Sequence, residues 1–202
     1  METRRKEIIQ CAASLFHQYG IKSVSMEDIA RELGMSKRTL YQFVKDKIDV
    51  VESVLQYNIE LFTQLLEVFH NDGFSAIEQF HKYTKGIDAH FPKINPSMHY
   101  DLRKFYPALL AKADKKVQGL IHTANVANLE KGKKEGFYRS DIDSDVISNL
   151  QIVIQNYLFD PSNDMIKGPD IVDRYLINQI YKYHFRGICT PKGIEELKRF
   201  FE

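Results

Sequence analysis

The chain has 202 residues, and its 28 Lys and Arg against 27 Asp and Glu leave a formal net charge of +1. That length excludes a large multidomain enzyme, and that charge excludes a global electrostatic draw to nucleic acid or an anionic membrane, so any such attraction must be local. With 44% hydrophobic and 27% charged residues the chain sits in the globular range, away from disordered or collagen-like sequences. No apolar run approaches the roughly 18 residues that a bilayer span requires. The opening Met-Glu-Thr-Arg-Arg-Lys-Glu lacks the apolar segment of a secretory signal, so a cytoplasmic setting without membrane contact is expected. Cys11 and Cys189 form no C-x-x-C or Cys/His spacing, which predicts no metal site and no disulfide framework.

Apolar residues recur at helical spacing almost throughout, and period-2 alternation is absent, which predicts an all-α fold of about nine or ten helices. A first helix is expected over Thr3–Tyr19, with Ile8, Ala12, Leu15, Phe16 and Tyr19 on one stripe and Gly20 as a left-handed stop. Ser25-Met-Glu-Asp28 reads as a capping box that opens a helix through Ile29 and Leu33 to Gly34. Ser36 caps a third helix through Leu40, Phe43 and Val44. Asp46 caps a long one from Lys47 to about His70, closed by Asn71-Asp72-Gly73. A helix from Phe74 to about Ala89 follows, then breaks at Pro92, Pro96 and Pro107. Pro96 opens a short helix and Pro107 a long one that stops at Gly136. Asp143–Phe159 carries Val146, Ile147, Leu150, Val153, Ile154, Tyr157 and Leu158, a stripe wide enough for a bundle or an interface. A loop over Asp160–Gly168 precedes a last long helix from about Pro169 to Arg186, and Thr190-Pro191 opens a terminal one. Lys131, Lys133 and Lys134 are expected in solvent near a helix C-terminus.

The basic excess is N-terminal. Residues 1–47 hold nine Lys and Arg against six Asp and Glu, and the remainder holds 19 against 21. It sharpens at Lys37, Arg38, Lys45 and Lys47, where Asp46 is the lone acid. The order of capped short helix, Gly34-Met-Ser36 turn and second capped helix is a helix-turn-helix pattern. Leu40, Phe43 and Val44 would face inward onto Ile29, Leu33 and the first helix. Arg38 and Gln42, one turn apart, would then face outward. An outward Arg can fork to guanine O6 and N7, and Gln can pair with adenine. Lys37 and Thr39 can add base or phosphate contacts, Tyr41 can donate to a phosphate, and Lys47 can bring a charge and helix-end amides to the same backbone.

The run from Ser25 through Ile29, Ala30, Leu33, Gly34, Ser36, Thr39, Leu40, Tyr41 and Phe43 to Lys47 resembles the signature of the TetR family of transcriptional regulators. The resemblance covers about the first quarter of the chain, and two positions depart from the family pattern: Val44 stands where many members have Phe, and Arg38 where many have Gly. The resemblance implies a helix-turn-helix DNA-binding domain over residues 1–46 and an effector-binding and dimerisation domain over 47–202. It implies DNA contacts by Ser25, Ser36, Lys37, Arg38, Thr39, Tyr41, Gln42 and Lys47, a double-stranded operator, and a repressor released by a small-molecule effector. Arg38 adds a long cation to the reading surface, so no relative's operator transfers to this chain.

Beyond residue 47 the signals are thinner. Tyr83, Tyr100, Arg103, Tyr106, His122, Asn125 and Asn156 interleave with apolar residues in the mixture that an effector pocket uses. Tyr175, Tyr181, Tyr183 and Phe185, with the Val146–Leu158 stripe, suit a homodimer built from helices at about 143–159 and 169–186, against plain intramolecular packing. Two other classes of function remain. A basic helix could dock an acidic protein partner. The Glu67/His70 and Glu78/His81 pairs could belong to a metal-dependent helical-bundle enzyme, but they flank Asn71-Asp72-Gly73 and have no evident partner glutamates. No phosphate-binding, dinucleotide-binding or hydrolase motif is present, so the chain is not expected to be an enzyme.

Overall fold

The computed structural model describes residues 2–90, 96–158 and 174–201, and these carry ten α-helices and no strand. The Pro92 break, the expected 160–168 loop and the expected helix start near Pro169 lie outside the described residues. The chain forms two compact units: Met1–Phe62 with Lys93–Val117, and Thr63–Pro92 with Gln118–Glu202.

The first unit holds α1 (Glu2–Tyr19), α2 (Met26–Glu32), α3 (Lys37–Leu40), most of α4 (Lys47–Leu66), α6 (Pro96–Phe105) and the start of α7 (Pro107–Lys134). Its core joins Ile8, Ala12 and Phe16 of α1 to Ile29 of α2, Leu40 of α3, Val50 and Val54 of α4, and Met98 and Leu102 of α6. Each of these side chains larger than Ala12 contributes roughly 1.5–3 kcal/mol when removed from water. α1 stops at Gly20, whose φ of +81° is left-handed and whose N–H donates to Phe16 O at 2.9 Å. Tyr19, expected on the buried stripe, is instead exposed. The last turn of α1 is covered at Gly20, where a Cβ would lie 3.0 Å from Ser97 Cβ of α6.

α3 is shorter than its pattern predicts. Only Lys37–Leu40 is α-helical. Gln42 and Phe43 then donate three residues back, to Thr39 O at 3.1 Å and Leu40 O at 3.0 Å, the tighter winding of a 3-10 turn. Phe43 O, at the end of this turn, accepts from the Arg5 guanidinium.

The second unit holds α5 (Ala76–His90), the rest of α7, α8 (Ser144–Leu158), α9 (Arg174–Ile188) and α10 (Pro191–Phe201). α4 ends at Leu66, and Glu67–His70 winds as 3-10 helix instead of continuing to His70 as α. The buried Gln79 amide holds the end of this turn, donating to Phe69 O at 3.3 Å and Asn71 O at 2.7 Å. α5 begins two residues later than expected because Ser75 caps it, its Oγ accepting from Glu78 N at 3.2 Å. Asn128 of α7 continues this network, donating to Ala76 O at 2.8 Å and Gln79 Oε1 at 3.1 Å and accepting from Tyr138 Oη at 3.3 Å. The Tyr138 ring lies flat on Gly132, where a Cβ would fall 2.0 Å from ring Cδ2. Lys131 and Lys133 are not in open solvent as expected. They are half-buried, Lys131 beside Glu135 at 3.9 Å and Lys133 on Glu130 at 2.9 Å.

The stripe on α8 divides. Ile152 is buried and Ile147 and Ile154 are half-buried, while Val146, Leu150, Val153 and Tyr157 are exposed. On α9, Phe185 is buried with its ring centroid 4.6 Å from that of Phe80, and Tyr181 meets Phe80 edge-on at 5.4 Å. Tyr183 points the other way and is 85% exposed. The side chains of Leu158 and Tyr175 lie outside the described residues.

Candidate nucleic-acid interface

The exposed polar surface of the first unit is built by two short helices that their own caps hold in place. Ser25 has extended backbone, its Oγ accepts from Asp28 N at 3.1 Å, and its own N–H donates to Asp28 Oδ2 at 2.8 Å. The box satisfies one orphan amide at each end of the exchange. Those bonds from Ser25, and the Arg31 guanidinium behind them, hold the Asp28 carboxyl below its ordinary range. At the turn, Gly34 adopts φ +63° and Met35 N–H returns to Ala30 O at 2.9 Å, closing α2 with the left-handed residue such stops require. Ser36 then caps α3, its Oγ accepting from Thr39 N at 3.1 Å and lying 2.8 Å from Thr39 Oγ1.

With Leu40 and Val44 buried, the helical repeat forces Lys37, Arg38, Tyr41 and Gln42 to the opposite side, and all four are exposed. Ser25 and Ser36 are exposed too, although both hydroxyls already serve as caps. Thr39 is half-buried and its hydroxyl is engaged with Ser36, so it is less available than an outward-facing residue. Lys47 is half-buried at the first position of α4, which Asp46 caps by accepting from Asp49 N at 2.9 Å. Burial pushes the Lys47 ammonium down, while the Asp101 and Asp28 carboxylates push it up.

Arg5 was not singled out by the sequence, where it is one cation in Thr3-Arg-Arg-Lys6. Its guanidinium reaches Asp49 Oδ1 at 2.7 Å and Ser53 Oγ at 2.8 Å as well as Phe43 O. It therefore ties α1 to the end of the α3 turn and to α4. That side of Asp49 is the main reason its carboxyl lies below the ordinary range. No local pattern marks such a residue, because its partners are 38 to 48 positions away.

The seven residues expected around an effector are divided between the two units. Tyr100, Arg103 and Tyr106 belong to the first unit, where Tyr100 and Arg103 are exposed and Tyr106 packs against the core. In the second unit Asn156 is exposed, His122 is half-buried 3.4 Å from Asp145, and Tyr83 is buried with its ring centroid 5.2 Å from that of Phe69. Burial lifts the Tyr83 hydroxyl above its usual value. Asn125 alone of the seven lines the cavity of about 10 Å³ between α5, α7, α8 and α9, with Gln151, His184 and Tyr181. Gln151 Nε2 is 2.9 Å from His184 Nε2, and Asn125 Nδ2 and Gln151 Oε1 have no hydrogen-bond partner among the described residues. That volume holds one water, which could bridge the two. A larger cleft of about 650 Å³ lies between α1, α4 and α7 within the first unit, floored by Ile9, Leu55, Ile59 and Leu109. Its rim is occupied by its own pairs, such as Lys112 with Glu52 at 3.1 Å. Glu78 pairs with Lys82 at 3.7 Å and the His81 ring stacks near Phe200. Among the described residues no three His, Cys, Asp or Glu side chains gather as a metal site, and no helix is long and apolar enough to cross a membrane.

Residues 8–54 match the model of the bacterial regulatory proteins of the tetR family. An HTH-type transcriptional regulator of Staphylococcus aureus (strain USA300) is 35% identical over 74 residues, which are 37% of this chain and 40% of that protein. The chain thus aligns with well under half the length of that relative. Two solved structures share the fold over nearly the whole chain. The TetR family protein CprB from Streptomyces coelicolor, in complex with its operator sequence, superposes with a TM-score of 0.66 at 19% identity, covering 99% of this chain and 94% of that one. A gamma-butyrolactone receptor superposes with a TM-score of 0.63 at 19% identity, covering 98% and 93%. Residues 8–54 thus match the helix-turn-helix segment of the tetR family of bacterial regulatory proteins, and the helical chain around them shares the fold of these two structures.

Proposed function

We propose that the protein is a sequence-specific DNA-binding transcriptional regulator, working in the cytoplasm as a homodimeric repressor that a small molecule releases from its operator. The observation that carries this reading is the exposed face of α3 and the turn after it, where Lys37, Arg38, Tyr41 and Gln42 stand over the buried Leu40 and Val44. Arg38 and Gln42 are the base readers, and Lys37, Tyr41 and Lys47 meet phosphates. Ser25, Ser36 and Thr39 present the helix ends that carry them. Residues 1–46 are the reading head, and 47–202 sense the effector and dimerise. The exposed apolar line Val146, Leu150, Val153 and Tyr157, with Tyr183 on α9, supports a twofold interface, since monomeric proteins seldom leave such rows in water. Release requires only that the effector bind the non-DNA-binding shape more tightly.

The test is selection of bound duplexes from a random pool by the purified protein at two salt concentrations. Recovery of an inverted repeat with half-sites about 34–36 Å apart is the expected result. Weak, salt-labile binding without sequence preference would reduce the α3 face to a general cationic surface and end the proposal.

A further inference from the structure

The loop from Gly20 to Val24, which leads into the α2 cap, is held by α6 at three points. A Cβ on Gly20 would lie 3.0 Å from Ser97 Cβ and 3.3 Å from Asp101 Oδ2, so the backbone sits directly on α6. Lys22 N–H donates to Asp101 Oδ2 at 2.7 Å. The Lys22 ammonium lies 5.3 Å from the Phe105 ring centroid, within cation–π range. Asp101 is 5% exposed, and a carboxylate is kept that far from water only where it is hydrogen-bonded or paired. Its partner here is the amide of a loop residue three positions before Ser25. Ile21 and Val24, on either side, are buried, so fixing the Lys22 amide fixes the direction in which the loop delivers Ser25 and the first turn of α2.

We infer that Asp101 is a positioning residue for DNA binding: by holding the Lys22 amide it sets where α6 seats the cap of α2, and with it the reading head, against the duplex. The inference rests on the DNA-binding reading above. It assigns to α6, which carries no residue of the α3 face, a direct hold on the head through one hydrogen bond from an acidic side chain to a loop amide.

The experiment uses the full chain, with the inverted-repeat duplex recovered by selection and a random-sequence duplex of equal length as probes. Asp101→Ala removes the acceptor, and Asp101→Asn keeps an acceptor of the same shape. Loss of one such bond predicts about tenfold weaker binding of the inverted repeat by Asp101→Ala, with the selected bases unchanged. Asp101→Asn should recover most of that loss. Amide exchange supplies a readout that a purely structural role would not give: Lys22 N–H is protected relative to Ser23 in the wild type, and Asp101→Ala exposes it while α1, α2 and α3 keep their protection. Wild-type affinity in Asp101→Ala, equal loss in both variants, or a Lys22 amide that exchanges as fast as that of Ser23 would each overturn the inference. So would a loss of affinity that comes only with lost protection across all three helices. A wild type that binds neither duplex removes the DNA-binding reading itself, which is a different result from a wild type that binds and a variant that binds equally.

Discussion

The α2–α3 segment and the Gln79–Asn128–Tyr138 network each satisfy polar groups that would otherwise be costly, one locally and one across the second unit. In the first, every partner is within a few residues: Ser25 with Asp28, Met35 with Ala30, Ser36 with Thr39. In the second, Asn128 reaches Ala76 and Gln79, 52 and 49 positions away. A local device tolerates damage locally, because one lost cap frees one amide at an exposed helix end. The distant network joins α5, α7 and the segment after α7, so losing one member strands several buried groups together.

The sharpest way to break that comparison is Asn128→Ala, which leaves Gln79 Oε1, Ala76 O and the Tyr138 hydroxyl without their partner. A stability loss of about 3 kcal/mol is expected in urea unfolding. A loss below about 1 kcal/mol would show that water repairs the network. Next, Arg38→Ala should cost about 1–3 kcal/mol on the preferred duplex and relax specificity at one base position, whereas Lys47→Ala should weaken all duplexes alike and reduce the salt slope by about one. Equal loss on every sequence for Arg38→Ala would make it a phosphate contact. Third, Ser25→Ala should destabilise by about 1 kcal/mol, read as a lower melting temperature with the circular dichroism of the folded state unchanged. A Ser25→Ala effect as large as that of Asn128→Ala would erase the distinction between the two regions.

The smallest expected effect is with pH. Burial holds the His17 and His184 imidazoles below the ordinary 6.5, so the fold takes up their protons less readily than the unfolded chain does. Below pH 6.5 the unfolded chain takes up protons that the fold refuses, and stability falls until pH has passed the folded values. The melting temperature should therefore drop between pH 7.5 and 5, and His184→Gln should shrink the drop. An unchanged difference in that variant would remove His184 from the account.

The same contrast explains what could be read from the sequence. Ser25, Asp28, Gly34 and Ser36 act through rules that span three or four residues, so the caps and the turn were legible, as were the stops at Gly20 and Gly136. The outward placing of Lys37, Arg38, Tyr41 and Gln42 followed from the apolar spacing of Leu40 and Val44. The early end of α-helical winding in α3 was not legible, because Leu40, Phe43 and Val44 keep apolar helical spacing through the 3-10 turn that follows it. Nor was the 3-10 turn after α4, whose end is held by the Gln79 amide from eight to ten positions away. A mixture of polar and apolar neighbours in sequence does not mark an effector pocket, since it belongs equally to Tyr100 on a surface and to Asn125 beside a cavity. Periodicity told which α8 residues are apolar but not which neighbour covers each one. Ile152 and Val153 are adjacent in sequence, and one is buried while the other is 63% exposed.

The hold of Asp101 on Lys22 also bears on how this protein can be taken apart. The unit that contains the reading head is discontinuous, joining Met1–Phe62 to Lys93–Val117. A chimera that transplants residues 1–46 onto a foreign sensor would carry α1, α2 and α3 complete, yet leave Asp101, Ser97 and Phe105 behind. Such a graft would inherit a loop whose Lys22 amide has lost its acceptor. A graft that also carries the α6 segment, Pro96–Phe105, would keep the joint whole, so the natural module for exchange is two pieces of chain and not one.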